Sequence, residues 1–342
     1  MKRPELALCS RCGRCLAVCP TYVATQREFF SPRGRIFLFE AGLWEHPALE
    51  TCLACGNCEN ACPNRVPLPE LVFLKKLEDP SSSKIPISKG PLLTWLPKEG
   101  TLLDKLCTDQ LPKRASRTFS QNLKLPEKGD VTIFLSCGAE YLYPKATHKL
   151  ILFLKGMGYS PGVTRPLCCG LPAASIGRKK VFLEQSRNTL EVLSQTEGPI
   201  LTLCASCLWM FKKVYPLVFS DTKEEKKVHS VAQRVEEALS HLSPKVSTWP
   251  FQVDDLAIHI PCHLKEFKPQ ISFQGSQINL CCGSVTPKRL LFENQLPKPF
   301  LEKLMELGPS LLVTACTGCY LKLRKLLKVP PEVKHWAELL SV

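Results

Sequence analysis

From residue 131 onward, short apolar runs alternate with amphipathic stretches. Val131–Leu135, Ile200–Leu203, Leu256–Ile260 and Leu311–Thr314 are compact apolar runs bounded by breakers, the pattern of buried strands. Lys145–Gly156, Ile176–Leu193, Lys298–Leu307 and Tyr320–Leu327 read as helices. This alternation predicts α/β units with a largely parallel sheet. Cys137, Cys204, Cys262 and Cys316 each follow directly, or nearly so, on one of the apolar runs. In an open α/β sheet that strand end is where ligands bind. A helix starting there turns its N–H groups and positive dipole end toward a thiolate or another anion.

Upstream, between residues 79 and 129, the pattern gives way to a segment rich in Pro, Ser and Lys. Pro80, Ser81, Ser82, Ser83, Pro86, Pro91 and Pro97 mark a linker, with a short helix expected near Leu102–Cys107. No apolar run approaches the roughly 18 residues of a membrane-spanning helix. The longest, Ile200–Phe211, carries a CxxC. The opening MKRPELALC has no signal-peptide core, so the expectation is a cytoplasmic chain, peripheral on the inner face of the cytoplasmic membrane only through a partner.

Composition changes this picture chiefly through cysteine. The chain has 342 residues, room for two to three domains, and its 44% hydrophobic content suits globular cores. Nineteen cysteines without a signal peptide point to metal or cluster ligation rather than disulfides. All but Cys107 fall into patterned groups, and Cys107 reads as a small buried hydrophobe. The formal net charge of +14 counts those cysteines as neutral, so bound anionic clusters would offset part of it. No basic stretch with interleaved aromatics suggests nucleic acid.

Two internal repeats organise the cysteines. CSRCGRCLAVCP, with Cys9, Cys12, Cys15 and Cys19, recurs at one constant offset as CLACGNCENACP, with Cys52, Cys55, Cys58 and Cys62. In C-x2-C-x2-C-x3-C-P, three cysteines wrap one cubane and the fourth ligates the other. One [4Fe–4S] cluster would take Cys9, Cys12, Cys15 and Cys62; the second would take Cys52, Cys55, Cys58 and Cys19. Structural zinc is the alternative, but zinc sites use pairs of cysteines rather than runs of four closed by proline. Gly13 and Gly56 lie inside the loops, where positive φ is accessible. Between the runs, Ser31-Pro32 is a helix start. Arg33 and Arg35 divide evenly between a place beside a cluster or partner carboxylates and the open surface.

The second repeat sets Cys137, Cys168-Cys169-Gly170 and Cys204-x2-Cys207 against Cys262, Cys281-Cys282-Gly283 and Cys316-x2-Cys319. Five sulfurs per copy exceed one zinc. They suit a larger cluster with bridging thiolates, a redox dithiol beside a metal, or structural zinc sites. Gly170 and Gly283 would let the backbone pass close to a bound group. His263 beside Cys262 is a possible imidazole ligand and, more commonly in such a setting, a capping or surface residue.

The two ferredoxin-type motifs, SPRGR, the tandem CCG and CxxC groups, CPTY ending at Tyr22 and VKHWAELL around His335 and Trp336 resemble the iron–sulfur subunit of bacterial glycolate oxidase. The resemblance covers nearly the whole chain. Its superfamily includes the anaerobic glycerol-3-phosphate dehydrogenase C subunit, lactate-utilisation proteins and heterodisulfide reductase subunits. It implies an electron-transfer subunit of a multi-subunit 2-hydroxy-acid dehydrogenase. A separate FAD-binding oxidase subunit would do the organic chemistry, with relay toward quinone or a membrane-associated acceptor. No GxGxxG follows a strand, in keeping with flavin on a partner. The resemblance carries the cubane role onto the eight N-terminal cysteines one by one. Heterodisulfide reductase relatives hold non-cubane clusters on CCG cysteines, and the first repeat matches that pattern. The second repeat has the same five cysteines after a shorter first spacer, which makes it the weaker site. The linker is shorter than in typical glycolate oxidase subunits.

The expected fold is therefore a multidomain α+β and α/β chain. A helical two-cluster ferredoxin-like domain spans 1–80, a linker 81–129, and two α/β cysteine-rich CCG domains 130–248 and 249–342. Rival functions are a heterodisulfide-reductase-like thiol–disulfide subunit with a CCG cluster as its active site, a glycerol-3-phosphate dehydrogenase C-type subunit, and a zinc module.

Overall fold

A computed structural model describes residues 4–78, 114–122, 128–246, 249, 255–272, 275–284, 295–327 and 330–341. Cys107 and the helix expected around it lie outside these residues.

The N-terminal region is helical. Its helices Pro20–Thr25, Pro32–Glu40, Asn57–Ala61 and Leu68–Glu78 surround a core of Leu6, Ile36, Leu38, Phe39, Leu49 and Val72. Two of these helices begin at the proline itself, where a missing N–H costs nothing. Ser31 caps Pro32–Glu40, its Oγ accepting from the Gly34 N–H at 2.9 Å.

Two four-stranded, all-parallel sheets follow. In chain order the strands are β1 (Val131–Phe134), β2 (Pro161–Val163), β3 (Ile200–Thr202), β4 (Val235–Glu237), β5 (Leu256–His259), β6 (Ser276–Ile278), β7 (Leu311–Thr314) and β8 (Glu332–His335). The sheet orders are β2-β1-β3-β4 and β6-β5-β7-β8, so the second sheet repeats the first. The four predicted apolar runs became the two central strands of each sheet. The edge strands PGV, VEE, SQI and EVKH were not predicted, because each is short and three of them carry polar or charged residues. The helix predicted from Ile176 starts at Lys179, after Gly177 at φ +74°. The last long helix, predicted from Tyr320, starts earlier, at Thr317, with extended Cys316 as its N-cap, and so takes in the CxxC.

The two sheets share one continuous hydrophobic core that includes Phe134, Trp209, Phe300 and Trp336. Their strand C-terminal ends face each other. The Ala205 N–H donates to the Ala315 carbonyl at 2.9 Å, the His335 Nε2 lies 2.9 Å from the Leu203 carbonyl, and Tyr143 stacks on His335 at 4.3 Å between centroids.

Candidate functional site

The parallel topology puts all ten CCG-type cysteines at one kind of place. In each sheet the lone cysteine follows the first strand, the CCG follows the second and the CxxC follows the third. These are strand C-terminal ends, where adjacent loops part and leave room for a bound group.

In the first repeat the Cys207 and Cys169 sulfurs lie 3.4 Å apart. Burial, then the neighbouring thiols Cys168, Cys169 and Cys204, push the Cys137 thiol well up. Burial and Cys169 push Cys168 up to about 12. In the second repeat, thiol contacts with Cys282 and Cys316 push Cys319 well up, and contacts with Cys262 do the same to Cys281. The five sulfurs of the second copy thus converge as those of the first do, despite its shorter spacer. In both copies the glycine N–H after the pair points at sulfur: Gly170 at Cys168 and Gly283 at Cys281, each at 3.4 Å.

The ferredoxin-type loops gather their thiols in two overlapping sets. Cys9, Cys12, Cys15, Cys58 and Cys62 line one pocket with Arg33. Burial pushes Cys58 well up, followed by the thiols of Cys55, Cys52, Cys19 and Cys15. Crowded thiols of raised pKa are poor neighbours as neutral groups and good ligands once a metal takes their protons.

The surroundings fit an anionic group at the second set. Arg35 is 1% exposed, yet among the described residues no carboxylate pairs with it. Its Nε donates to the Ala48 carbonyl at 2.9 Å and its Nη2 to Thr21 Oγ1 and Thr51 Oγ1 at 2.9 and 3.0 Å. Its Nη1 lies 3.9 Å from Cys19 Sγ. A buried cation without a counter-charge is costly, and thiolates around iron and sulfide would supply one. Lys76, also buried, faces Cys52 from the other side. Arg33 pairs with Glu28 at 2.6 Å and lies beside the Cys9–Cys15 loop, its Nη1 donating to the Arg11 carbonyl at 3.4 Å.

The sequence left two histidines undervalued. His263 is 1% exposed rather than a surface residue. Its Nε2 lies 2.9 Å from the Ala54 carbonyl, its Nδ1 lies 3.0 Å from Ser206 Oγ, and Trp209 stacks on it at 4.7 Å. It joins the second ferredoxin-type loop to both CxxC groups, because Ser206 Oγ also lies 3.1 Å from Cys316 Sγ. His259, fully buried on β5, has a ring nitrogen within 4.8 Å of the Cys282 and Cys319 sulfurs. Burial lowers its pKa to about 4 and keeps it neutral. A histidine inside an apolar strand gives no sequence signal of such a place.

The groups also meet one another. Leu53, Cys55, Cys262 and Cys281 form one buried apolar cluster, with Cys55 and Cys281 in thiol contact. Cys316 in turn contacts Cys204, whose sulfur accepts from the Thr317 N–H at 3.4 Å. The sulfurs therefore run without a break from the ferredoxin-type region through the second repeat into the first. At the same junction Lys213 lies 2.6 Å from Glu266, 3.3 Å from Glu59 and 3.7 Å from Glu70. Burial works against its charge, yet the carboxylates hold Lys213 up at about 12.

Comparison with known proteins matches residues 5–66 to a 4Fe-4S dicluster domain and residues 131–212 and 268–324 to a cysteine-rich domain. The glycolate oxidase iron-sulfur subunit of Escherichia coli (strain K12) is 24% identical over 98% of this chain and 93% of its own length. Lactate utilization protein A 1 of Bacillus mycoides (strain KBAB4) is 22% identical over 62% of this chain and 96% of its own. The uncharacterized protein YkgE of Escherichia coli (strain K12) is 23% identical over 62% of this chain and 98% of its own.

Proposed function

The chain belongs to the family of glycolate oxidase iron–sulfur subunits, a dicluster domain followed by cysteine-rich CCG repeats, and from that premise we propose that it relays electrons from a flavin-bearing partner that oxidises a 2-hydroxy acid, glycolate first among them, toward quinone. Its role is redox, and it works as an iron–sulfur subunit of an oxidoreductase complex. None of its described helices is long and apolar enough to cross a membrane, so membrane contact would come through a partner.

In this reading Cys9, Cys12, Cys15 and Cys62 hold one cubane, and Cys52, Cys55, Cys58 and Cys19 hold the other. The two CCG quintets hold further iron–sulfur groups. Bound clusters supply one-electron steps that the side chains alone do not. Arg35 would stabilise the added negative charge near Cys19, the Gly170 and Gly283 N–H groups would do so near Cys168 and Cys281, and the apolar core around the buried CCG cysteines would keep water from them.

The observation that carries the reading is the unbroken succession of thiol contacts linking Cys55 to Cys281 and Cys316 to Cys204. Anaerobic purification with iron and sulfide analysis and EPR tests it. Iron beyond that of two cubanes, reduced on adding the flavin subunit and glycolate, is the expected result. An iron-free protein after reconstitution, or clusters that stay oxidised under those conditions, overturns it.

A further inference from the structure

A cleft of about 620 Å³ separates the ferredoxin-type region from the second sheet. That volume lies in the range of small-ligand sites. Its apolar walls come from Val18, Val23, Leu280 and Phe300. Its charged lining has one sign: Arg65, Lys265 and Lys268 contribute, and among the described residues no Asp or Glu lines it. Two of these cations are oriented by uncharged acceptors, while Arg65 also interacts with the nearby Glu59 carboxylate. Arg65 Nη1 donates to Asn60 Oδ1 at 2.9 Å and to the Glu59 carbonyl at 3.4 Å, and Lys265 Nζ donates to the Asn279 carbonyl at 2.6 Å. None of these acceptors carries a formal charge. The contrast with Lys213, set among three carboxylates at the same junction, is direct. The cleft reaches inward to Cys281, which is 5% exposed. A second basic hollow, beside Lys145, Lys149 and Arg324, includes Glu338 in its lining and touches no cysteine.

We propose that this cleft is a binding site for a small organic anion, a carboxylate, sulfonate or phosphate on an apolar body. Arg65, Lys265 and Lys268 take its charge, and the accessible Val18 and Val23 its apolar part. The ligand lies against the Cys281 edge of the second repeat. The site goes beyond the electron-transfer role and its occupancy does not depend on which flavin partner the chain serves.

The test uses the full chain, purified anaerobically, with 2-naphthalenesulfonate as probe and equilibrium dialysis as readout. Saturable binding to one site is expected, weakened at least about tenfold by Arg65→Gln with Lys268→Gln. Raising salt from about 50 to about 500 mM weakens it too. Both replaced residues are exposed, so the fold should survive, and iron content and melting temperature on the same samples verify this. Neutral 2-naphthol should bind more weakly and ignore the double substitution, while Val23→Ala should weaken both probes. Absent or non-saturable binding of the sulfonate overturns the site, as does binding unchanged in the double variant. Iron content, read separately, reports on the electron-transfer reading.

Discussion

Arg35 shows what one buried side chain says about a missing charge. Its three oxygen partners are neutral, and among the described residues the anion-forming group that its guanidinium meets is the Cys19 sulfur at 3.9 Å. Replacing it with Met keeps the volume and removes the cation. A cluster held at Cys19 should then become harder to reduce, by on the order of 100 mV for one positive charge removed at close range in the protein interior. An EPR-monitored redox titration reads this directly, and an unchanged potential would separate Arg35 from the cluster. SPRGR alone left Arg33 and Arg35 equivalent; packing made one a partner of Glu28 beside the Cys9–Cys15 loop and the other a core cation, and no local pattern distinguishes those fates. Glu70 was equally silent in the sequence. Burial, then the neighbouring Glu59 and Glu266, raises it from the usual 4.5 to about 7. A carboxyl whose folded pKa is raised binds its proton more tightly in the native state, so stability falls as pH climbs from about 4.5 to about 7 and stays low above. At roughly 1.4 kcal/mol per pH unit this amounts to as much as about 3 kcal/mol. Glu70→Gln should therefore raise the melting temperature at pH 8, leave it nearly unchanged at pH 4.5, and flatten the profile between. A variant that melts lower at pH 8 would show that the ionised carboxylate is needed to hold Lys213.

At the scale of elements, the sequence revealed the central strands and the position of each cysteine group at a strand end, because apolar runs bounded by breakers carry that information locally. The edge strands β4 and β8 escaped, since VEE and EVKH gain their strand character only from pairing with β3 and β7. The CCG turns combine both kinds of information. Gly170 has φ +79°, and a Cβ there would meet Phe182 Cδ2 at 2.6 Å, so the turn needs glycine for conformation and for space together. Gly158 offers a control, with φ +89° and nothing within 4 Å of its Cβ position. Gly158→Ala should cost about 1 kcal/mol, the backbone term alone. Gly170→Ala should cost roughly 2–4 kcal/mol, because overpacking adds to it. Denaturant titration measures both. The spectroscopic signals of the first CCG site should vanish in Gly170→Ala while those of the ferredoxin-type clusters persist; equal costs for the two variants would remove the packing argument.

At the scale of the whole molecule, the order of the stations differs from their order along the chain. Along the chain the first CCG repeat lies between the ferredoxin-type loops and the second repeat. Three-dimensional packing places the second repeat between them. Cys55 meets Cys281, His263 ties the Ala54 carbonyl to Ser206, and Cys316 meets Cys204, whereas the first repeat approaches the ferredoxin-type region through Trp209, Lys213 and the helix Leu171–Ser175, which packs on Leu68–Glu78. Electron tunnelling falls steeply with distance, so with clusters bound the route marked by the thiol contacts would be the faster one. Paired Cys262→Ser and Cys282→Ser substitutions should then leave the ferredoxin-type clusters reducible by dithionite and strand the first CCG site, its reduction slowed by orders of magnitude. Paired Cys168→Ser and Cys169→Ser substitutions should leave the second site reduced at its normal rate. Magnetic coupling gives an independent reading. The second ferredoxin-type cluster should show dipolar broadening from the second CCG site in the Cys168/Cys169 variant and lose it in the Cys262/Cys282 variant. If the first site is instead reduced at full speed when the second is dismantled, the electrons take a route through the Trp209 and Lys213 contacts, and the succession of sulfurs is packing rather than path.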